Sequence, residues 1–275
     1  MKPRPFTYVS PANLDEALQA LERYRDNARV IAGGLSLVPM MNFRLIEAKA
    51  LVDISRLEAL AYIREDGDSI EIGAATTQAE LMAWPKLADT VPLLTAAMVH
   101  IGHLQTRSRG TVCGSIAHSD PSSELPLCLA TLGGSVVLQS TRTKRVLPAS
   151  EFQSGMLTTA RNFDELVVAV RFPKRKPRTG YAFTEMTQRH GDFAICAAAA
   201  IVSGESVRLG IGGVADKPTT RDFPKLPTAE LDDALNDFAW DLGGSDDQHA
   251  TAAYRRDLVR RLGRKVIEEA AQCSN

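Results

Sequence analysis

Two short stretches of the chain carry residue types and spacings that could hold a charged ligand. In the first, IAGGLSLVPMM (Ile31 to Met41), a short apolar run stops at a glycine pair and resumes through a serine. A Gly-Gly pair lets the backbone take positive φ and come close to a ligand without interference from Cβ, and successive N–H groups in such a turn can converge on an anion. Ser36 adds a hydroxyl donor. The stretch is not a Walker loop, since no Gly-Lys-Ser/Thr follows, and it does not match G-x-G-x-x-G. A plain tight turn after a strand is the alternative reading. The second stretch, Gln105 to Pro126, gathers Thr111, Gly114, Ser115, Ser119, Ser122 and Ser123 into a turn-rich segment that ends at Glu124 before an apolar helix. Small residues and hydroxyls can approach phosphates, and a carboxylate can accept from ribose hydroxyls, so the two stretches together suit a dinucleotide with a diphosphate. The alternative here is a serine-rich loop in which Asp120 or Ser123 caps the next helix.

Other reactive side chains form no comparable set. His100 and His103 stand at i, i+3 in HIGH, a spacing that fits one helical face, yet no carboxylate or cysteine nearby completes a metal site. His118 and His190 read as polar loop residues beside the presumed ligand, and Cys128 in LPLCLATL reads as core. The four cysteines, Cys113, Cys128, Cys196 and Cys273, are far apart and contain no CxxC pair for zinc or an iron–sulfur cluster. No catalytic residue and no metal ligand is expected.

These loops need a frame, and the rest of the chain supplies one. With 275 residues the chain can bury a sizeable core. Its 32 Lys+Arg against 33 Asp+Glu leave no electrostatic footprint for nucleic acid or an anionic membrane. The longest apolar run, Ala194 to Val202, is well short of the roughly 18 residues a spanning helix needs, and the N-terminus has no apolar signal-like region. A soluble, cytoplasmic chain is expected. Strand-like Phe6 to Val9, an amphipathic helix with Leu14, Ala17, Leu18 and Leu21 on one face, a strand at ARVI and another at Lys49 to Ser55 make a small α/β unit. Alternation around Asp66-Gly67-Asp68 predicts a hairpin. TQAELMAW and VPLLTAAMVHIGHL have helical spacing, and SVVLQS and ELVVAVRF read as strands. The run Arg171 to Gly180, with five basic residues, has the composition of a solvated linker. Beyond it lie strands at YAFTEMTQ, AICAAAAIV and SVRLGIGGV, a polar loop and two helices.

IAGGLSLVPMMNFRL is similar to the A-G-G-x-S-L-x-P-x-M segment, and GHLQTRSRGTVCGSIAHSDPSSELP resembles the R-N-R-G-T-x-G-G-N-x-A-x-x-D-P-x-x-E/D-x-P segment, of the FAD-binding medium subunits of molybdenum hydroxylases, the xanthine dehydrogenase and carbon monoxide dehydrogenase family. QRHGDFAI, RLGIGGVADKPTTR and YRRDLVRRLGRKVIEEA agree with it in the right order, over almost the whole chain. The resemblance implies that the backbone from Arg29 through Val30, Ile31, Ala32, Gly33, Gly34, Leu35 and Ser36 holds the FAD diphosphate, with Leu37 close behind. Thr111, Val112, Cys113, Gly114 and Ser115 form the second diphosphate contact, and Glu124 hydrogen-bonds ribose or ribityl hydroxyls. Ile101 lies against the flavin, and the Gly191-Asp192-Phe193 turn reaches the isoalloxazine ring from the C-terminal domain. Leu35 departs from the usual His or Gln, Cys113 from a Gly, and Ser108 and Ser115 from asparagines. Thr184 falls where some relatives carry a lysine. FAD retention is expected all the same, because serine still donates a hydrogen bond and cysteine is small.

The fold implied is α+β: a two-part FAD-binding domain of the vanillyl-alcohol oxidase/PCMH type (1–55, α/β, and 56–177, α+β), then a smaller α+β domain of the CO dehydrogenase flavoprotein type (178–275). The function implied is that of an oxidoreductase subunit in a heterohexameric enzyme. A large partner carries molybdopterin, a small partner carries two [2Fe–2S] clusters, and this chain's FAD passes electrons to NAD or another acceptor. The redox chemistry belongs to the cofactor, and the protein orients and tunes it. A stand-alone FAD oxidoreductase and a scaffold subunit that has lost FAD are the alternatives.

Overall fold

A computed structural model describes residues 2–273, so Met1 at the start of the first expected segment and Ser274 and Asn275 at the end of the third lie outside the described residues. The chain opens with β1 (Thr7–Val9), α1 (Leu14–Tyr24), β2 (Ala28–Ile31), α2 (Leu37–Asn42) and β3 (Ala50–Asp53). α1 forms where Ala17, Leu18, Ala20 and Leu21 fall on one face, and all four are buried. Its start is fixed by Asn13, whose Oδ1 accepts from the Glu16 N–H at 2.9 Å. β3 runs between β1 and β2 and parallel to both, with Ile31 opposite Asp53. β2 therefore releases the glycine pair at the carboxyl edge of a parallel sheet, the edge at which α/β folds bind their ligands.

The middle of the chain begins with the expected hairpin, β4 (Ile63–Asp66) and β5 (Ser69–Gly73). Six short helices follow: α3 (Gln78–Ala83), α4 (Leu87–Thr90), α5 (Pro92–Met98), α6 (Leu104–Arg107), α7 (Val112–His118) and α8 (Glu124–Leu132). Then come β6 (Ser135–Gln139), β7 (Lys144–Pro148), α9 (Ala149–Phe152), β8 (Gln153–Gly155), β9 (Thr158–Thr159) and β10 (Leu166–Pro173). β10 returns through the centre of an antiparallel sheet of order β4-β5-β10-β6-β7. Its near-continuous apolar sequence matches burial on both faces.

The last part is a meander, β11 (Thr179–Met186), β12 (Cys196–Ser203), β13 (Ser206–Gly212) and β14 (Thr219–Pro224), followed by α10 (Thr228–Leu242) and α11 (Ala252–Gln272). The alanine run in β12 serves two cores. Ala197 and Ala199 join the core shared with the middle sheet, while Ala198 and Ala200 face the core built with α10 and α11. Among the described residues, no helix is long and apolar enough to cross a membrane.

Several expectations need correction. The helix expected through HIGH ends at Met98, so His100 lies in the turn after it, His103 is the extended N-cap of α6, and the two share no helical face. The segment Gln105 to Pro126 is not an open loop, since α6 and α7 form within it. The linker is shorter than its composition implies: β10 runs to Pro173, β11 starts at Thr179, and Arg171 and Lys174 are committed to Glu71 and Glu65 at 2.7 Å each. The polar loop after β13 contains β14.

Candidate functional site

The two chemistry-bearing stretches meet in space. Thr111 is the N-cap of α7, its Oγ1 accepting from the Gly114 N–H at 3.0 Å. The same segment is tied to the start of α3, with the Gln78 N–H donating to the Gly110 carbonyl at 2.8 Å and the Val112 N–H to the Thr76 carbonyl at 3.1 Å. Gly33 presses against this anchored turn. A Cβ at Gly33 would lie 2.1 Å from the Arg109 carbonyl oxygen, so no side chain fits between the stretches. Positive φ occurs at Gly34 (+76°) and not at Gly33, where room rather than φ is what demands glycine.

The turn is rich in free donors. The N–H groups of Gly33, Gly34, Leu35 and Ser36 donate to no acceptor among the described residues, while the Gly34 and Ser36 carbonyls accept from Val38 and Met40 of α2. Successive unpaired amides of this kind make a concave site for an anion. They line a cleft of about 470 Å³. A second cavity of about 420 Å³ adjoins it and shares Arg29, His118 and Arg161 with it.

Of the expected residues, Arg29 through Leu37, Ile101, Thr111, Cys113, Gly114, Ser115, Glu124, Asp192 and Phe193 line the cleft. Val112 does not: its side chain is fully buried in the core beneath. Cys113 is buried with its Sγ 3.4 Å from the Ile72 carbonyl, and burial pushes its pKa far up, so the thiol is inert. At one end of the cleft Ile101 and Gly102 approach the β11–β12 connection, and a Cβ at Gly191 would meet His103 Cε1 at 2.9 Å. Phe193 is 61% exposed at this end. Arg29 and Arg161 line another part of the wall. Arg161 donates to the carbonyls of Asn162 (2.9 Å) and Glu165 (2.7 Å). Burial first, then the neighbouring Arg29, lowers its pKa.

Glu124 is the first residue of α8 and only 6% exposed. Burial is the main cause that pushes its pKa up to about 8, with Glu185 and Asp120 adding to the effect. At neutral pH the carboxyl therefore keeps its proton and offers a ligand one donor as well as acceptors. The capping alternative holds in position but not in bonding. Ser123 occupies the N-cap position without a side-chain bond, and Asp120 instead accepts from the Ser122 N–H at 2.8 Å.

Of the lining residues that the sequence did not point to, Arg161 and Gln78 bear most on ligand binding. Arg161 follows TTA in a polar loop and carries no local signal. Gln78 sits in the first turn of α3, yet its side chain is buried on the cleft wall with Oε1 lacking any donor. No three His, Cys, Asp or Glu side chains among the described residues come together as metal ligands. Four unpaired amides and two arginines as donors, the orphaned Gln78 oxygen as an acceptor for a sugar hydroxyl, and a glycine cradle that a Cβ would fill together suit a dinucleotide diphosphate with hydroxyl-bearing sugars.

Comparison with known proteins agrees. Residues 4–175 match the family model described as the FAD binding domain in molybdopterin dehydrogenase. The chain is 35% identical to the alpha subunit of the 6-hydroxypseudooxynicotine dehydrogenase complex of Paenarthrobacter nicotinovorans, over 98% of this chain and 96% of that one. It is 34% identical to the nicotine 6-hydroxylase medium subunit of the same organism, over 98% and 99%. Among solved structures, reconstituted CO dehydrogenase from Oligotropha carboxidovorans contains a chain that superposes with a TM-score of 0.94 at 29% identity, covering 99% of this chain and 100% of that one.

Proposed function

The chain belongs to the FAD-binding medium subunits of the molybdenum hydroxylase family, and we propose that it carries electrons from [2Fe–2S] clusters of a small partner subunit, through FAD, to NAD or another soluble acceptor. FAD is its cofactor, its fold is the PCMH-type α+β fold, and it is an oxidoreductase subunit. A large partner with molybdopterin oxidises the substrate of the whole enzyme in this reading, and the assembly works in the cytoplasm. The four cysteines, all free thiols, accord with a reducing compartment.

FAD supplies the two-electron chemistry when bound. The chain's own residues bind and orient it. The free amides of Gly33 through Ser36 hold the diphosphate from one side and the Thr111–Ser115 turn from the other, with Arg29 and Arg161 as counter-charge. Glu124 hydrogen-bonds the sugar or ribityl hydroxyls, Ile101 packs against the flavin, and Gly191-Asp192-Phe193 borders the isoalloxazine ring. The boundaries near residues 55 and 177 belong to the same proposal, and the three main sheets, which exchange no strands, support it. The observation that carries the site assignment is the row of four unpaired amides, held against the Arg109–Gly110 turn by a glycine with no room for a side chain.

The test is an absorption spectrum of the chain purified alone and again after co-expression with the genes beside its own. Flavin bands that travel with two further subunits support the proposal. A flavin-bearing chain that reduces and reoxidises with a small substrate and binds no partner points instead to a stand-alone oxidoreductase. A colourless chain that stays so after FAD is added contradicts the site.

A further inference from the structure

Four glutamates among the described residues have buried side chains, and they fall into two kinds. Glu71 is held by Arg64 at 2.6 Å and Arg171 at 2.7 Å, and Glu165 by Arg145 at 2.6 Å. Among the described residues, Glu124 and Glu185 have no lysine or arginine partner. The Glu185 side chain, on β11, is 4% exposed; its Oε1 lies 3.4 Å from His100 Nδ1, and its Oε2 is buried with no partner at all. A carboxylate buried without a cation is costly, so such a group holds a proton instead.

His100 cannot supply the missing charge. Burial first, then His190 and Lys265, lowers its pKa and favours the neutral imidazole. The other groups turned toward the pair are few. Lys265 of α11 reaches Thr184 Oγ1 at 3.4 Å and Glu269 at 3.8 Å, Asp120 acts on Glu124, and Cys128 feels both glutamates from inside α8. Glu185 in turn adds to the raised proton affinity of Glu124, whereas burial alone raises that of Glu185.

The placement gives these two acids a use. Glu124 lines the cleft; His100 directly precedes Ile101, which lines it too; and β11 leads into the Gly191–Phe193 turn at the same end. The His100 side chain is 31% exposed and its Nδ1 lies 3.4 Å from Glu185, so a route runs from water through the imidazole to that acid, while Glu124 lines the cleft itself.

We propose that Glu124 and Glu185, opened to solvent through His100, take up a proton when the FAD in the cleft is reduced, and so couple the cofactor's potential to pH. The inference rests on FAD occupying the cleft as proposed above. Reduction by the partner's reduced clusters consumes two electrons and one proton at the flavin itself, FAD + 2 e⁻ + H⁺ → FADH⁻. Above neutral pH, where the pair is partly ionised, the added negative charge raises its proton affinity, and one carboxylate becomes a carboxylic acid, its O–H formed with a proton drawn from water by way of His100. Reoxidation by the acceptor reverses the uptake.

The experiment is a redox titration of the flavin-loaded protein between about pH 6 and 9, where a raised carboxyl affinity would register. Toward about pH 9 the wild type is expected to take up close to one more proton per two electrons than Glu185→Gln, which keeps the shape of the side chain and removes its titration, and the difference should vanish toward about pH 6. Identical proton counts in the two proteins at the alkaline end overturn the inference while leaving the cofactor site standing. A chain with no flavin overturns both. A second readout needs no variant: the reduced-minus-oxidised infrared difference spectrum of the wild type at the alkaline end should show a protonated carboxyl band gained on reduction, and a spectrum without it also overturns the inference.

Discussion

At Gly33 the chain has room for a hydrogen atom and nothing larger. Because its φ is ordinary, alanine there meets no backbone penalty, and the whole effect of Gly33→Ala falls on the contact with Arg109. The variant should lose flavin content at least tenfold, read as the ratio of flavin to protein absorbance, while far-ultraviolet circular dichroism stays near wild type. Thr111 is the complementary test: Thr111→Ala should cost about 1 kcal/mol through the lost cap on α7, and Thr111→Ser should restore most of it in a thermal melt. The glycine pair was legible in the sequence because its type and spacing are unusual. Arg161 and Gln78 were not, because an arginine in a polar loop and a glutamine in a first turn look like solvated residues until the distant chain that buries them is known.

Elements read well where one face carries the signal and poorly where it does not. α1 and the hairpin of β4 and β5 were legible from periodicity and turn chemistry. β7 and β14 were missed because each lies at the edge of its sheet and alternates exposed with partly buried positions, so its sequence reads as polar loop. Ion pairs between buried carboxylates and partly exposed arginines fasten β10 and its neighbours, and they make pH a probe of the elements. Bonds from Tyr62 and Arg171 hold Glu71 below the usual glutamate pKa, and bonds from Arg145 and the Asn162 amide do the same for Glu165, in each case against burial. Their contribution is present at neutral pH and lost as pH falls through those lowered values. For Glu185 and Glu124 the sign is opposite: pKa values raised to about 7 and about 8 give a contribution that is complete below the ordinary value of 4.5 and fades as pH rises. The flavin-free chain should therefore melt at its highest temperature in mildly acidic solution and lose stability toward pH 8, as a series of melts across pH would show. Arg145→Ala, which leaves Glu165 with the Asn162 amide and Arg161, should cost about 1 to 2 kcal/mol in urea unfolding at neutral pH.

At the scale of the whole molecule, three main sheets converge on one cleft. The β1–β3 sheet delivers the glycine turn, the helices beside the middle sheet deliver the turn before α7 together with Glu124, and the β11–β12 connection borders the end where Ile101 lies. The α+β class and the family were legible because the two loop motifs and the C-terminal stretches occur in order along almost the full chain. The electron acceptor and the substrate of the complete enzyme were not, since no residue of this chain is bound to meet either before the partners are in place. The proton-holding glutamates were also hidden, because Glu124 and Glu185 lie far apart in sequence and their lack of cations is a property of packing. The most direct measurement is hydrogen–deuterium exchange of the chain with and without FAD. The site described here predicts cofactor-dependent protection of the amides at 31–37 and 109–115, with a smaller effect at 190–193. Protection elsewhere, with those three segments unchanged, would contradict it.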